Sequence, residues 1–245
     1  MHMKKLMYTV MGLAAVAGGS AHAAGIAVDL QSARGVGMAA SLIGAVDDAS
    51  GIYYNPAGIA QGQGLEFILG SAPIIPSFTV KNPAGQELNG VSNVITPVHM
   101  YATWGISDEW TVGLGVMNPY GLKVEWEPGW EGREIVERAD LKVFDINPTV
   151  AYRNGPFRIG GGIQIVRATV GLTKDVNLGN DTFVGVDLGA GAWVVGGNVG
   201  IQYEAVEWVL SLGATYRSSV NLNCDGNAHF ENVPPPYAGT FKDQA

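Results

Sequence analysis

From residue 65 onward hydrophobicity alternates with a period of two, which an extended strand requires and a helix cannot use. Trp208, Leu210, Leu212, Ala214 and Tyr216 share one side, and Val209, Ser211, Gly213, Thr215 and Arg217 the other. Phe157, Ile159, Gly161, Ile163 and Ile165 likewise oppose Arg158, Gly160, Gly162, Gln164 and Val166. The same pattern runs through 110–117, 144–153 and 193–203. It predicts strands near 65–80, 94–106, 110–122, 139–153, 157–173, 184–203 and 207–222.

A soluble sandwich also alternates, so three further features decide. Most of these strands exceed the usual ~5–6 residues and suit a tilted membrane-spanning strand of about 9–11 residues. Connections alternate short and long. Ser107-Asp108-Glu109, Asn154-Gly155-Pro156 and Glu204-Ala205-Val206 are tight, whereas 81–93, 123–138, 174–183 and 223 onward are longer and more polar. Outer-membrane barrels have short periplasmic turns and long extracellular loops. Aromatics flank every short turn on the apolar side: Trp104 and Trp110, Tyr152 and Phe157, Tyr203 and Trp208. An interfacial girdle has this form. Arg153, Arg158 and Arg217 fall on the small, polar face, away from lipid. Arg167 is in phase with Ile163 and Ile165, an exception near the long-loop end, where a charge costs least.

The N-terminus explains how such a chain reaches a membrane outside the cytoplasm. Lys4-Lys5 precedes an apolar run from Leu6 to Gly18 and Ala21-His22-Ala23, the form of a signal peptide cut after Ala23. The run is shorter than the ~20 residues that a spanning helix needs. Losing Lys4 and Lys5 leaves 12 basic and 22 acidic residues, a net charge of −10. An acidic chain without a basic run is no nucleic-acid binder. A lone Cys224 permits no internal disulfide, and His99 and His229, 130 residues apart, form no metal-site spacing. There is no G-x-S-x-G, H-E-x-x-H or Walker motif. An enzyme, a catalytic residue, a metal and a cofactor are not expected.

Between leader and strands lies 24–64, with no sustained period. Asp47-Asp48-Ala49-Ser50-Gly51 and Asn55-Pro56-Ala57-Gly58 sit within it. Together with Ser32-Ala33-Arg34-Gly35-Val36-Gly37-Met38-Ala39, Asn118-Pro119-Tyr120-Gly121-Leu122, Asp145-Ile146-Asn147-Pro148-Thr149 and Gly213-Ala214-Thr215-Tyr216-Arg217-Ser218, the mature chain resembles the FadL/TodX family of outer-membrane transporters for long-chain fatty acids and other hydrophobic compounds. The resemblance implies an all-β fold, a transmembrane antiparallel up-and-down barrel of 14 strands with an N-terminal hatch plugging its lumen. The expected organisation is a signal peptide (1–23), a hatch (24–64) and the first half of the barrel (65–245), about seven strands and thus an incomplete barrel from a longer chain.

It further implies a Gram-negative outer membrane and uptake of a fatty acid or aromatic hydrocarbon with lateral exit into lipid. The only partners expected are the hydrophobic solute and membrane lipid, with no nucleic acid, and the protein is expected to be a monomer. The hatch signature maps to Asn55, Pro56 and Ala57, expected to shape the plug, and to Asp47 and Asp48, expected to pair with inward arginines of the wall. The lateral gate maps to Asn118, Pro119, Tyr120 and Gly121, where Pro and Gly weaken a strand. Candidate solute contacts are Phe78, Trp126 and Trp130, with Ile74 and Ile75 nearby. The two Trp are expected to form an exposed apolar landing patch. Arg158 and Arg217 either receive a carboxylate or belong to a lumen charge network, the network being favoured. A general diffusion porin is the alternative, sharing girdle and alternation without needing a hatch.

Overall fold

A computed structural model describes residues 27–61, 64–180, 182–207 and 209–243. The leader 1–23, the mature start Ala24-Gly25 and Trp208 lie outside the described residues. Short helices precede the strands: α1 (Ala33–Gly37), α2 (Gly51–Tyr54) and a 3₁₀ turn (Pro56–Gln61). Strands follow as β1 (Leu65–Ser71), β2 (Thr79–Lys81), β3 (Glu87–Asn89), β4 (Val98–Gly105), β5 (Trp110–Met117), β6 (Gly121–Glu125), β7 (Arg138–Asn154), β8 (Phe157–Asn177), β9 (Phe183–Val206), β10 (Leu210–Arg217) and β11 (Asp225–Glu231).

All pairings in the main sheet are antiparallel, in the order β1-β4-β5-β7-β8-β9-β10. β6 continues the third wall strand along β7, and β11 continues the seventh along β9. The wall is therefore a seven-strand meander, the open part of an up-and-down barrel. None of its helices is long and apolar enough to cross a membrane, among the described residues.

Burial is inverted relative to a soluble protein. Val195, on one face of β9, is 69% exposed, and Gln202, on the other, is 1% exposed. Leu65, Phe67, Leu69, Leu114, Ile146, Val150 and Ile163 share the exposed side, while Thr103, Thr111, Asp145, Asn147, Arg158, Gln164 and Asn198 are buried. Contiguous exposed apolar surface on this scale needs lipid to cover it. Trp104, Trp110, Phe157 and Tyr203 stand on that face at the short turns, as a girdle would.

The strand predictions hold for 139–153, 157–173 and 184–203, with longer ends: the last two continue to Asn177 and from Phe183, which turns the expected loop 174–183 into a tight hairpin. The first strand is shorter than the expected 65–80. It stops at Ser71, and beyond it lie an Ile74–Ile95 bridge and the separate β2–β3 hairpin. Pro73 and Pro76 cannot donate to a ladder, which accounts for the early end. Pro148 stands inside β7, yet Asn147 and Pro148 lack register partners on β8, so the missing N–H falls at a gap.

Candidate functional site

Residues 27–61 lie against the inward faces of β4, β5, β7, β8, β9 and β10. The contact begins with side-chain volume. Ile52, Ala49, Ile59 and Ala60 form a buried cluster with Tyr101, Met117 and Ala151 of the wall, and Leu42, Val46 and Tyr54 form a second. Where the segment approaches the wall backbone most closely the wall carries glycine. A Cβ at Gly160 would overlap the Pro56 carbonyl, and one at Gly200 would overlap Asn55 Oδ1.

Asn55 fixes the centre of this segment. It is fully buried, and its Nδ2 donates to the Ile43 carbonyl at 2.7 Å and to the Ile201 carbonyl at 3.0 Å. Its Oδ1 accepts from Ala57 N–H at 3.1 Å, and its carbonyl accepts from Gly58 N–H at 2.8 Å. Pro56 follows with no N–H to satisfy. Asn55 thus ties the Pro56–Gln61 turn to β9, a shaping role with no surface left for a solute.

Asp47 and Asp48 form no ion pair with a wall arginine, and the charge of Asp47 reaches Arg158 only at a distance. Both pair with Arg34 of α1, and Asp48 Oδ1 also accepts from the Ser50 N–H. The sequence expectation is corrected here: the acids close a loop within their own segment. The Asp47 hydrogen bond, opposed by partial burial, holds the Arg34 guanidinium above its ordinary value. Burial, then a hydrogen bond to Asp29, pushes the Tyr53 hydroxyl up, so it stays a neutral donor to Asp29 at 2.9 Å.

The wall arginines find partners on the wall. Arg217 contacts Asp145 at 3.1 Å, donates to the Tyr53 carbonyl at 3.1 Å and lies 5.1 Å from the Tyr53 ring centroid. Gln164 donates to the same Asp145 oxygen at 2.7 Å. Arg158 pairs with Glu204 at 3.0 Å. Of the two roles open to these arginines, this is the lumen charge network. Asn198 and Gln202 add donors to the Ile52, Ile43 and Val46 carbonyls. Sequence reasoning put these polar residues on the inner face without giving them a role. A polar side chain on the concealed face of a strand is the signal, since a buried polar group needs a partner.

The third wall strand breaks where Asn118, Pro119 and Tyr120 separate β5 from β6. Asn118 replaces the ladder with its side chain: Oδ1 accepts from Val98 N–H at 3.0 Å and Nδ2 donates to the Val143 carbonyl at 2.8 Å. Below the break β5 pairs with both β4 and β7; above it β6 pairs with β7 alone. The freed carbonyls are taken by the N-terminal segment. Val28 N–H donates to Pro119 O at 2.9 Å, Gln31 Nε2 donates to Asn118 O at 2.7 Å, and Ala27 bridges Tyr120.

A cavity of about 480 Å³ opens at the break, lined by Val28, Pro97, Tyr120, Leu122, Val143 and Phe144 among others. Val143 is buried on the inner face and Phe144 exposed on the outer. Consecutive strand residues point to opposite faces, so a cavity lined by both abuts the edge of β7 at the break. Deeper in, Val143, Val166 and Ala168 form an apolar patch with Tyr120, Leu141 and Val220.

Phe78, Trp126 and Trp130 come together, but not as an exposed patch. Trp126 and Trp130 stack at 4.0 Å, Phe78 meets Trp126 edge-on at 5.3 Å, and Trp126 is only 6% exposed. Trp130 Nε1 donates to the Val136 carbonyl at 2.7 Å. The exposed-patch expectation is corrected: these rings are the core of the long loops, because loop aromatics lower their own exposure by packing together. No cluster of metal-binding side chains occurs among the described residues.

The model of a family described as outer membrane protein transport protein (OMPP1/FadL/TodX) matches residues 14–239. The chain belongs to this family. It is accordingly an outer-membrane protein of a transport family, not of an enzyme family. The long-chain fatty acid transport protein of Escherichia coli K12 is 26% identical over 262 residues, covering 91% of this chain and 58% of its own. The chain thus spans little more than half the length of the curated relatives it matches. A Pseudomonas aeruginosa FadL homologue aligns with a TM-score of 0.68 at 16% identity, covering 84% of this chain and 55% of that one. The toluene transporter TodX of P. putida aligns at 0.62 and 15%, covering 74% and 54%. These structures share the fold, an antiparallel β-barrel of which this chain holds part.

Proposed function

We propose that the protein takes up apolar small molecules, long-chain fatty acids or aromatic hydrocarbons, and releases them sideways into the membrane through the break in the third wall strand. The cavity that touches both inward Val143 and outward Phe144 carries this reading. The relatives' names, a fatty-acid transporter and a toluene transporter, support the substrate class. An apolar chain leaving water for the patch around Val143, Val166 and Tyr120 would gain about 25 cal/mol per Å² buried. A water-filled pore offers no such gain, and a lumen occupied by 27–61 counts against a general diffusion porin.

In this reading 24–64 is the hatch, and Asn55-Pro56-Ala57 holds it in place. Asn118 to Gly121 form the gate. Val28 lines the same cavity and donates to the Pro119 carbonyl of the gate, so moving residues 27–31 uncovers the opening from inside. The Phe78–Trp126–Trp130 core frames the outer approach rather than capturing solute. The protein works as a monomer.

Gly121→Phe tests this. A Cβ at Gly121 meets nothing nearer than 3.7 Å, so the backbone there accepts a side chain, and Gly121 lines the cavity at the break. Uptake of radiolabelled oleate by cells carrying the variant of the complete protein should fall to background, with folded protein in the outer membrane at its normal level. Undiminished uptake by a correctly inserted variant would refute lateral exit.

A further inference from the structure

On the outer face, the apolar band of β7, β8 and β9 ends at a row where Phe144 is opposite Arg167 and Arg167 opposite Trp193. The next row toward the long loops is Lys142, Thr169 and Gly191. From Phe157 in the girdle to Arg167 is ten residues. At about 3.3 Å per residue and a tilt of about 40°, that is a rise of ~25 Å, the height of the apolar band of an outer-membrane barrel. Arg167 and Lys142 therefore stand at the headgroup level of the outer leaflet.

The Arg167 guanidinium lies 5.5 Å from the Trp193 ring centroid, and a Cβ at Gly191 would come within 2.9 Å of it. Among the described residues Arg167 forms no ion pair, whereas Arg138 has Asp140 at 2.8 Å. Lys142 reaches Asp140 only at 3.8 Å and leaves 63% of its side chain exposed. Gly189 and Gly191 floor a depression of about 730 Å³ that Arg167 and Thr169 border on one side and Asp225 on the other. Asp225 repels an anion from the far rim, and Asp140 and Asp187 line the next hollow beyond Lys142 and Thr169, which leaves the side of Thr169 and Lys142 that faces Arg167.

We propose that Arg167 and Lys142, with the Thr169 hydroxyl, bind the anionic phosphate of an outer-leaflet lipid headgroup, the acyl chains lying along Phe144, Ile165 and Trp193. Cations at the interface attract anionic lipid by about five-fold each, and a guanidinium held against an aromatic face presents its free N–H edge to phosphate.

The test places the full chain in phosphatidylcholine vesicles containing either brominated phosphatidylglycerol or brominated phosphatidylcholine. The signal is the part of the tryptophan quenching that Trp193→Phe removes. It should be several-fold larger with the anionic probe, Arg167→Gln with Lys142→Gln should abolish the excess, and Arg167→Lys should retain most of it. Excess inorganic phosphate should not compete. Equal quenching by the two probes, or equal loss in Arg167→Lys and Arg167→Gln, would overturn the site. Loss of the excess on adding inorganic phosphate would show a soluble-anion site and overturn the lipid assignment.

Discussion

At Asn55 one side chain meets three backbones: its own turn, Ile43 and Ile201. Alanine there removes these bonds and strands buried groups at about 1–3 kcal/mol each. Asn55→Ala should cost a few kcal/mol in the attachment of 27–61 while the wall remains, read as faster tryptic cleavage at Arg34 and lowered uptake by the complete protein. Cleavage at the wild-type rate would contradict the role. A second residue-scale prediction concerns the exposed His229 of β11, which meets Asp243 of the segment after that strand at 2.7 Å. The hydrogen bond and charge of Asp243 raise His229, and His229 first lowers Asp243. A raised histidine keeps its contact below its ordinary value near 6.5 and loses it as pH rises through the raised value. A lowered carboxylate keeps its contact above its ordinary value and loses it as pH falls through the lowered one. The contact should therefore be fullest between about pH 4 and 6.5. The His229 ring resonances should titrate above those of a free histidine, and Asp243→Asn should remove the difference.

Elements divide into those the pattern made legible and those it did not. Seven wall strands could be read because one face of each must be apolar over its whole membrane length. The break at Asn118-Pro119-Tyr120 falls inside the strand that alternation predicts over 110–122; only the family resemblance marks it, and the missing proline donor is its physical reason. The same argument applied to Pro73 and Pro76 locates the end of β1, which alternation alone carries too far. Partners on the inner face were not legible. Arg217 finds Asp145 from 72 positions away and Asn55 finds Ile201 from 146, and such pairings depend on register between distant strands. Asp47 and Asp48 show the opposite error, since their partner Arg34 is local and a wall partner was expected. Trp126 gives a prediction at this scale. Truncating a large buried aromatic to alanine costs about 3–5 kcal/mol, so Trp126→Ala should loosen the β2–β3 hairpin. Proteolysis at Lys81 should accelerate while the wall strands stay protected; an unchanged cleavage rate would mean that the hairpin is held by other contacts.

For the whole molecule, the proposed lateral route rests on the burial pattern and the break together. The outer face is apolar and lipid-covered, and the lower lumen is polar and filled by 27–61. An apolar hollow is lined by Tyr120, Val143 and Val166, and the cavity at the break, which shares Tyr120 and Val143, also touches Phe144; in the proposed function these form the exit. A long-chain fatty acid carrying a photoactivatable diazirine, bound to the complete protein in outer membranes and cross-linked by light, samples that space directly. The account predicts label on Tyr120, Leu141 and Val143, displaced by excess unlabelled fatty acid. Label confined to the polar lumen residues Asp145, Asn147 and Gln164, or to the loop aromatics Phe78 and Trp130, would contradict it.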